Sequence, residues 1–372
     1  MKILHFFIRD LGGEFADGKF LDAARSLGEL IPERTANLYS DYFTISGLSP
    51  LRILIRREEI LIARVPATLR VFVKLYSYGV ILLEYAIEPS NETLETTTAG
   101  MVFKERSIEF AGGRQLQLEA LRTADFTAIM QSLNTSLEKA YDVPDFSDRF
   151  HVFIDSGARN EEEAMKILLP GEEQYSEAMK RRIAKHIELW EESERFYVIG
   201  NRAYLSTALD AADITNFLEL SRVQLYELKV YDYMLDKSIE GTYKFLDKLP
   251  RRDEILPLAW LRKDFKVQVQ QVFRLTEIRM DLVDLIKDIT NTSKVTEDPY
   301  FEGVYREMNN VFHIGEWFQS VRGKVEELED IQRMILSRID IFKSTTLEMT
   351  IIILILIEIV MPFCELVYKI FH

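Results

Sequence analysis

Residues 343–372 read KSTTLEMTIIILILIEIVMPFCELVYKIFH, and this stretch decides how the rest of the chain is arranged. From Met349 to Cys364 only Thr350, Glu358 and Pro362 interrupt a run of apolar side chains. An α-helix rises about 1.5 Å per residue, so roughly 20 residues span the ~30 Å hydrocarbon core of a bilayer. Leu347–Phe371 is long enough. We read one transmembrane helix over residues 346–372, a tail anchor in the lipid bilayer. The competing reading is a buried core helix of a soluble domain, which a short apolar run also suits.

The charge around this segment orients it. Arg333, Arg338 and Lys343 precede the apolar run and Lys369 follows it. Positive residues stay on the cytoplasmic side, so the N-terminal bulk is expected there, in a single-pass protein. The first residues, MKILHFFIRDLGGEF, read as a strand entering a turn. They show no long apolar core and no small-residue cleavage site, so no signal peptide is expected.

Composition narrows the classes. The chain has 372 residues, 47% of them hydrophobic and 28% charged, which is globular and not disordered. The net charge of −14 argues against nucleic acid as a partner, because such binders concentrate cations against phosphates. Cys364 is the single cysteine, which excludes an intramolecular disulfide.

Upstream, the hydrophobic period is two. Lys2–Ile8 reads as a strand and Gly12–Gly13 as a turn, followed by a helix over Lys19–Leu30. Leu51, Ile53 and Ile55 alternate with Arg52 and Arg56. A second run covers Ile60–Val65, with Pro66 as its stop. Leu69–Leu75 and Ile81–Ile87 make two more strands, joined through Ser77–Gly79. Short alternating runs separated by turn residues indicate an antiparallel sheet. Asn91–Val102 carries no assignment. Asp125 reads as a helix N-cap before a stripe of Phe126, Ile129, Met130, Leu133, Leu137 and Tyr141. Phe150–Ile154 reads as a strand, Asn160–Leu169 as a short helix, and Tyr175–Trp190 as an amphipathic helix. Arg195–Ile199 and Tyr204–Leu209 flank a Gly200–Asn201 turn. The expectation for residues 1–209 is an α+β domain, in up to two similar layers.

Residues 210–345 then read as a long antiparallel helical coiled-coil stalk. One seam runs through Leu218, Leu225, Leu228, Leu235, Ile239, Leu246 and Leu249. A second runs through Leu258, Leu261, Phe265, Val272, Leu275, Leu282, Ile286 and Ile289, between turns at Pro250–Pro257 and Asn291–Pro299. The third, on a helix expected to run unbroken from Tyr300 into the anchor, is Val311, Ile314, Phe318, Val321, Val325, Leu328, Gln332, Ile335, Ile339 and Phe342. Its steps alternate three and four, which is a heptad a/d pattern. One reading is a three-helix bundle that satisfies its own seams. The other pairs the third helix between subunits as a homo-oligomer, with Gln332 fixing register as buried polar residues at such positions do. Extending the heptad sets Glu358 opposite the seam Met349, Ile353, Leu356, Val360. An ionised residue at mid-membrane costs roughly 2.5–3.5 kcal/mol, which marks Glu358 as an intramembrane polar candidate.

Little else points to chemistry. Residues 13–20 nearly spell a phosphate-binding loop, but Phe20 replaces the hydroxyl that would hold magnesium, and Glu14 and Asp17 oppose phosphate. His5, His151, His186, His313 and His372 lack metal-ligand spacing. Glu161–Glu163 and Glu191–Glu192 read as solvated helix faces. Lys180, Arg181, Arg182 and Lys185 form the best basic patch, read as a solvated face before a contact with anionic lipid or RNA. No nucleophile motif is present, so neither catalysis nor a cofactor or metal is expected.

At the third helix the residues resemble the "required for meiotic nuclear division" family. The match is carried by Asp298-Pro299-Tyr300-Phe301, the heptads, Lys343–Glu348 and Ile351–Ile359, and more loosely by Arg70–Leu83. The family's A-L-A-Q-S-V-K-L-like helix motif is not evident. The resemblance implies a membrane-anchored, oligomeric protein with no established catalysis, whose organellar members support translation at a membrane. The leading expectation is therefore a non-enzymatic, tail-anchored scaffold that oligomerises through its stalk, with its protein partner unknown. The alternative is a subunit of a CorA-like ion channel or transporter. Against that alternative, one span is visible and the Gly-Met-Asn signature is missing, since Met308-Asn309-Asn310 lies far from the anchor.

Overall fold

The computed structural model describes residues 1–13, 15, 19–31, 50–62, 65–76, 79–90, 107–110, 115–133, 136–137, 145–155, 160–169, 176–189, 194–207, 211–248, 296 and 298–371. The chain divides into two compact units. One is Met1–Val230 with Ile289–Trp317; the other is Tyr231–Asp288 with Phe318–His372.

The first unit is built on one sheet. Its strands are β1 (Lys2–Asp10), β2 (Glu29–Leu30), β3 (Leu51–Ile62), β4 (Val65–Leu75), β5 (Val80–Pro89), β6 (Ser107–Phe110), β7 (Gln115–Gln117), β8 (Asp148–Asp155), β9 (Lys185–Ile187), β10 (Arg195–Ile199) and β11 (Arg202–Ser206). Their spatial order is β7-β6-β3-β4-β5-β1-β8-β11-β10-β9, with β2 on β3. Neighbours are antiparallel except β8 and β11, which run parallel. The expected antiparallel α+β domain is present, but as a single sheet and not as two layers. Strand β1 is the reason: it pairs with β5 on one side and β8 on the other, so the early and late strands join.

Helices cover both faces. Helices α1 (Lys19–Leu27), α2 (Leu118–Leu133) and α3 (Glu161–Leu168) close one core with Ile3, Phe7, Val71, Val73, Leu83 and Tyr85. The short α4 (Glu177–Ile183) leads into β9. The opposite face takes the first half of α5 (Ala211–Lys248) and α6 (Pro299–Val311). There Tyr226 receives the backbone N–H of Asp10, and Phe312 meets Phe150 edge-on. With both faces covered, Val80–Ile87 is buried at every position, so alternation in the sequence does not translate into exposure.

Several local readings change. Helix α2 begins at Leu118, so Asp125 is not its cap but a mid-helix residue, 4% exposed. The Tyr175–Trp190 helix is the seven-residue α4 followed by strand β9. Leu51–Ile62 is one strand with a bulge between Leu54 and Arg56, and Pro66 lies inside the next strand instead of stopping it. The helix expected to run unbroken from Tyr300 is interrupted at Phe312–His313, where His313 takes φ +56° before α7 (Ile314–Phe371) begins. A left-handed residue resets the helix phase, which drives the Phe312 ring onto Phe150 and beneath the Arg222 guanidinium.

In the first unit α5 and α6 run side by side and parallel: Phe217 stacks on Phe301, and Ser221 donates to Asn309. In the second unit the rest of α5 lies parallel to α7. Lys324 bridges Asp232 and Asp236 at 2.8 and 2.6 Å, and the Tyr243 hydroxyl donates to Glu327 at 3.2 Å. First and third helices of an up-down-up bundle must be parallel. The second, with its Leu258–Ile289 seam, the Pro250–Pro257 turn and most of the Asn291–Pro299 turn, lies outside the described residues. So do Asn91–Val102, Glu191–Glu192 and half of the phosphate-loop-like stretch.

Candidate functional site

The third seam is buried within the chain itself. Ile314, Val321, Val325, Leu328, Gln332, Ile335 and Ile339 are all under a tenth exposed. Val311 and Phe318 are half-buried, and Phe342 follows on the same helix. The amide nitrogen of Gln332 is buried and has no hydrogen-bond partner among the described residues. Beyond the seam the same helix turns inside out. Every apolar residue from Ile351 to Met361 is 39–68% exposed, and Glu358 is exposed among them. Among the described residues, α7 is the one helix long and apolar enough to cross a membrane.

The first unit holds a buried ionic cluster that the sequence did not announce. Lys74 on β4, Glu84 on β5 and Glu219 on α5 are 2%, 3% and 1% exposed. The Lys74 ammonium contacts Glu84 at 3.0 Å and also binds the Glu219 carboxylate. Arg52 on β3 adds a second cation to Glu84 at 2.9 Å, and the Tyr76 hydroxyl donates to Glu219 at 3.0 Å. Burial alone would raise the Glu84 carboxyl, but Lys74 and then Arg52 outweigh it and bring it down to about 2. Glu219 shares one cation and is deeper, so burial wins and its carboxyl is pushed up. Beside this cluster Arg222 makes a two-pronged bond to Asp148, at 3.0 and 2.6 Å, and lies over the Phe150 ring.

On the opposite sheet face, register brings two histidines together across 146 residues. His5 on β1 is directly opposite His151 on β8. Their Nδ1 atoms are 2.9 Å apart, and the rings lie within 21° of parallel. Arg122 of α2 donates to His5 Nε2 at 3.0 Å. Next along α2, Asp125 takes Arg56 at 2.5 Å and the Tyr85 hydroxyl at 3.1 Å. Burial, then Asp125, pushes the Tyr85 phenol far up. Of the other histidines, His186 lies against Tyr197 and His313 meets Glu316 at 2.9 Å.

These groups are joined to one another by ion pairs and hydrogen bonds. Among the described residues, no group of three or more histidine, cysteine or acidic side chains could hold a metal ion. The one signal that could have found the histidine pair is strand phase: both occupy inward positions on strands legible from their apolar runs. Lys180 and Arg182, from the basic patch, lie on α4 and Lys185 starts β9, and Arg182 and Lys185 are exposed.

No family model matches the chain, and no solved structure matches it. It is 27% identical over 153 residues to an uncharacterised protein of Methanocaldococcus jannaschii. That match covers 41% of this chain and 43% of that protein, so the chain spans under half the length of the relative it matches.

Proposed function

We propose that the chain is a non-enzymatic scaffold held in a lipid bilayer by the last part of α7, with the sheet unit on the cytoplasmic side. The observation that carries this reading is the unbroken exposure of apolar side chains from Ile351 to Met361. Left in water, each large side chain forgoes about 1.5–3 kcal/mol of burial; a bilayer supplies that burial at once. Arg333, Arg338 and Lys343 on the near side favour the stated orientation. Homo-oligomerisation remains part of the proposal. Because Val321–Ile339 is consumed inside the chain, the contact between copies belongs to the membrane segment, where Glu358 would gain most from a polar neighbour.

The test is removal of residue 344 onward. The full chain is expected in the membrane pellet, resistant to alkaline wash. The shortened chain is expected in the supernatant with its circular dichroism retained. Full-length protein soluble without detergent would end the reading. Ion flux in liposomes from the full chain, lost in Glu358→Leu, would replace the scaffold with the channel alternative.

A further inference from the structure

The break between α6 and α7 is held on each side by a cation from α5. The guanidinium carbon of Arg222 is 4.9 Å from the ring centroid of Phe312, immediately before the break. The Lys229 ammonium is 5.9 Å from the ring centroid of Trp317, in the first turn of α7. Arg222 and Lys229 lie two turns apart on one face of α5. Between the two rings sits His313 at φ +56°.

A left-handed backbone is costly for any residue but glycine, and it persists where neighbours enforce it. The bonds around His313 are short. Its N–H donates to the Asn310 carbonyl at 3.1 Å, and the N–H groups of Glu316 and Trp317 both donate to the His313 carbonyl at 3.1 Å. Those two amides therefore report whether the first turn of α7 is closed onto the break.

The two clasps differ in kind. Arg222 is 5% exposed, grips Asp148 at 3.0 and 2.6 Å and lies over Phe150 as well as Phe312. A guanidinium also keeps its charge. Lys229 is half-buried, and the carboxylate that acts on it, Asp148, is already committed to Arg222. The groups that face its ammonium are Asp148 from β8, Arg222 from its own helix and Trp317 from α7. Burial holds the Lys229 amine below its ordinary 10.5; Asp148 opposes this and Arg222 adds to it. More of this amine is uncharged near neutrality than in an ordinary lysine, and the uncharged amine is the nucleophile.

We propose that Lys229 is an acylation site whose modification releases the first turn of α7 from α5. The acyl donor is a thioester. The uncharged amine attacks the thioester carbonyl: an N–C bond forms, the C–S bond breaks, the thiolate leaves and the surplus amine proton passes to solvent. Nothing is oxidised or reduced. The amide product carries no charge, so its attraction to the Trp317 face is lost. The Arg222 clasp on Phe312 stays, so the break is held on one side and loosened on the other.

The first test labels the full chain in detergent with S-acetyl-N-acetylcysteamine and reads each lysine by mass spectrometry. Lys185, exposed at the start of β9, is the reference amine. The rate at Lys229 relative to Lys185 should be at least about threefold higher at about pH 7.5 than at about pH 10, because the amine that deprotonates earlier saturates first. A ratio independent of pH would overturn the site. Hydrogen exchange then reads the release. In Lys229→Gln the opening constant of the Glu316 and Trp317 amides should rise about three- to fivefold, as loss of a cation–π contact requires. Lys229→Arg keeps the charge and should stay within about 1.5-fold of the unaltered chain. Amides of the β10–β11 hairpin should not change in either variant. The unaltered chain after acetylation gives a reading that does not depend on a variant folding; it should match Lys229→Gln, and a Lys229→Arg chain treated alike should not. Equal opening in Lys229→Gln and Lys229→Arg would overturn the clasp.

Discussion

Residues 214–228 of α5 bury every side chain, including Glu219, Arg222, Gln224 and Glu227. Residues 351–361 of α7 expose every apolar side chain they carry. Both stretches are helical, and each inverts the usual relation between chemistry and burial. They differ in where their partners are. Three polar side chains of α5 find partners on named neighbours: Lys74 and Tyr76 for Glu219, Asp148 for Arg222, and Tyr305 for the Gln224 carbonyl oxygen at 2.5 Å. The apolar side chains of α7 are left to a medium outside the chain. A buried charge is specific and fragile; an exposed apolar run is unspecific and needs only a surrounding of low polarity.

Removing one partner is the harshest way to break that contrast. Lys74→Met leaves Glu84 and Glu219 buried with less compensation, and should cost about 3–5 kcal/mol of stability. Urea unfolding followed by circular dichroism would show it. Adding Glu219→Leu to the same chain should recover part of the loss, because the second charge then goes as well. A Lys74→Met chain as stable as the original would mean the cluster is not the anchor of α5.

Acid should act on the same cluster more gently. Glu84 falls from its ordinary 4.5 to about 2 in the folded chain. Its contribution is fully present above about 4.5 and is lost as pH drops toward about 2. Glu219, shifted the other way, relieves strain over its own range and blunts the curve. Glu84→Gln should flatten the acid limb of a melting-temperature profile; an unchanged limb would assign the acid response elsewhere.

The smallest effect sharpens the contrast from a third direction. Gln332 is polar and buried like Glu219, yet its amide nitrogen lacks a partner among the described residues. Gln332→Leu should therefore raise stability, by about 1–2 kcal/mol. It should also broaden the distribution of species in sedimentation, if the polar group helps fix register. A loss of stability would show that the amide is satisfied.

What the sequence disclosed follows the same division. Period-two runs such as Leu69–Leu75 and Ile81–Ile87 revealed the strands, because packing against a core leaves a local mark. The anchor candidate was legible for the same reason. The start of α2 was not: Leu118–Ala124 carries no stronger cap than Asp125, and Asp125 was needed by Arg56 and Tyr85 from across the sheet. Glu219 and Arg222, three apart on a helix, look like a solvated face until strands distant in the chain supply their partners. The break at His313 was hidden within an unbroken heptad, since the steps from Val311 to Phe318 count correctly through a residue at φ +56°. The histidine pair depends on register between β1 and β8, which no local pattern encodes.

Strand β1 has a consequence for how the chain reaches this state. It spells Ile3-Leu4-His5-Phe6-Phe7-Ile8 and ends between β5 and β8, at residues 80–89 and 148–155. During synthesis this largely apolar segment emerges before β5 and β8 and waits for both neighbours. Pairings so distant in sequence are slow to form, and an unpaired strand of this composition is prone to stick to its own kind. A growing chain therefore needs β1 shielded until the tenth residue of β5 and the whole of β8 have left the ribosome.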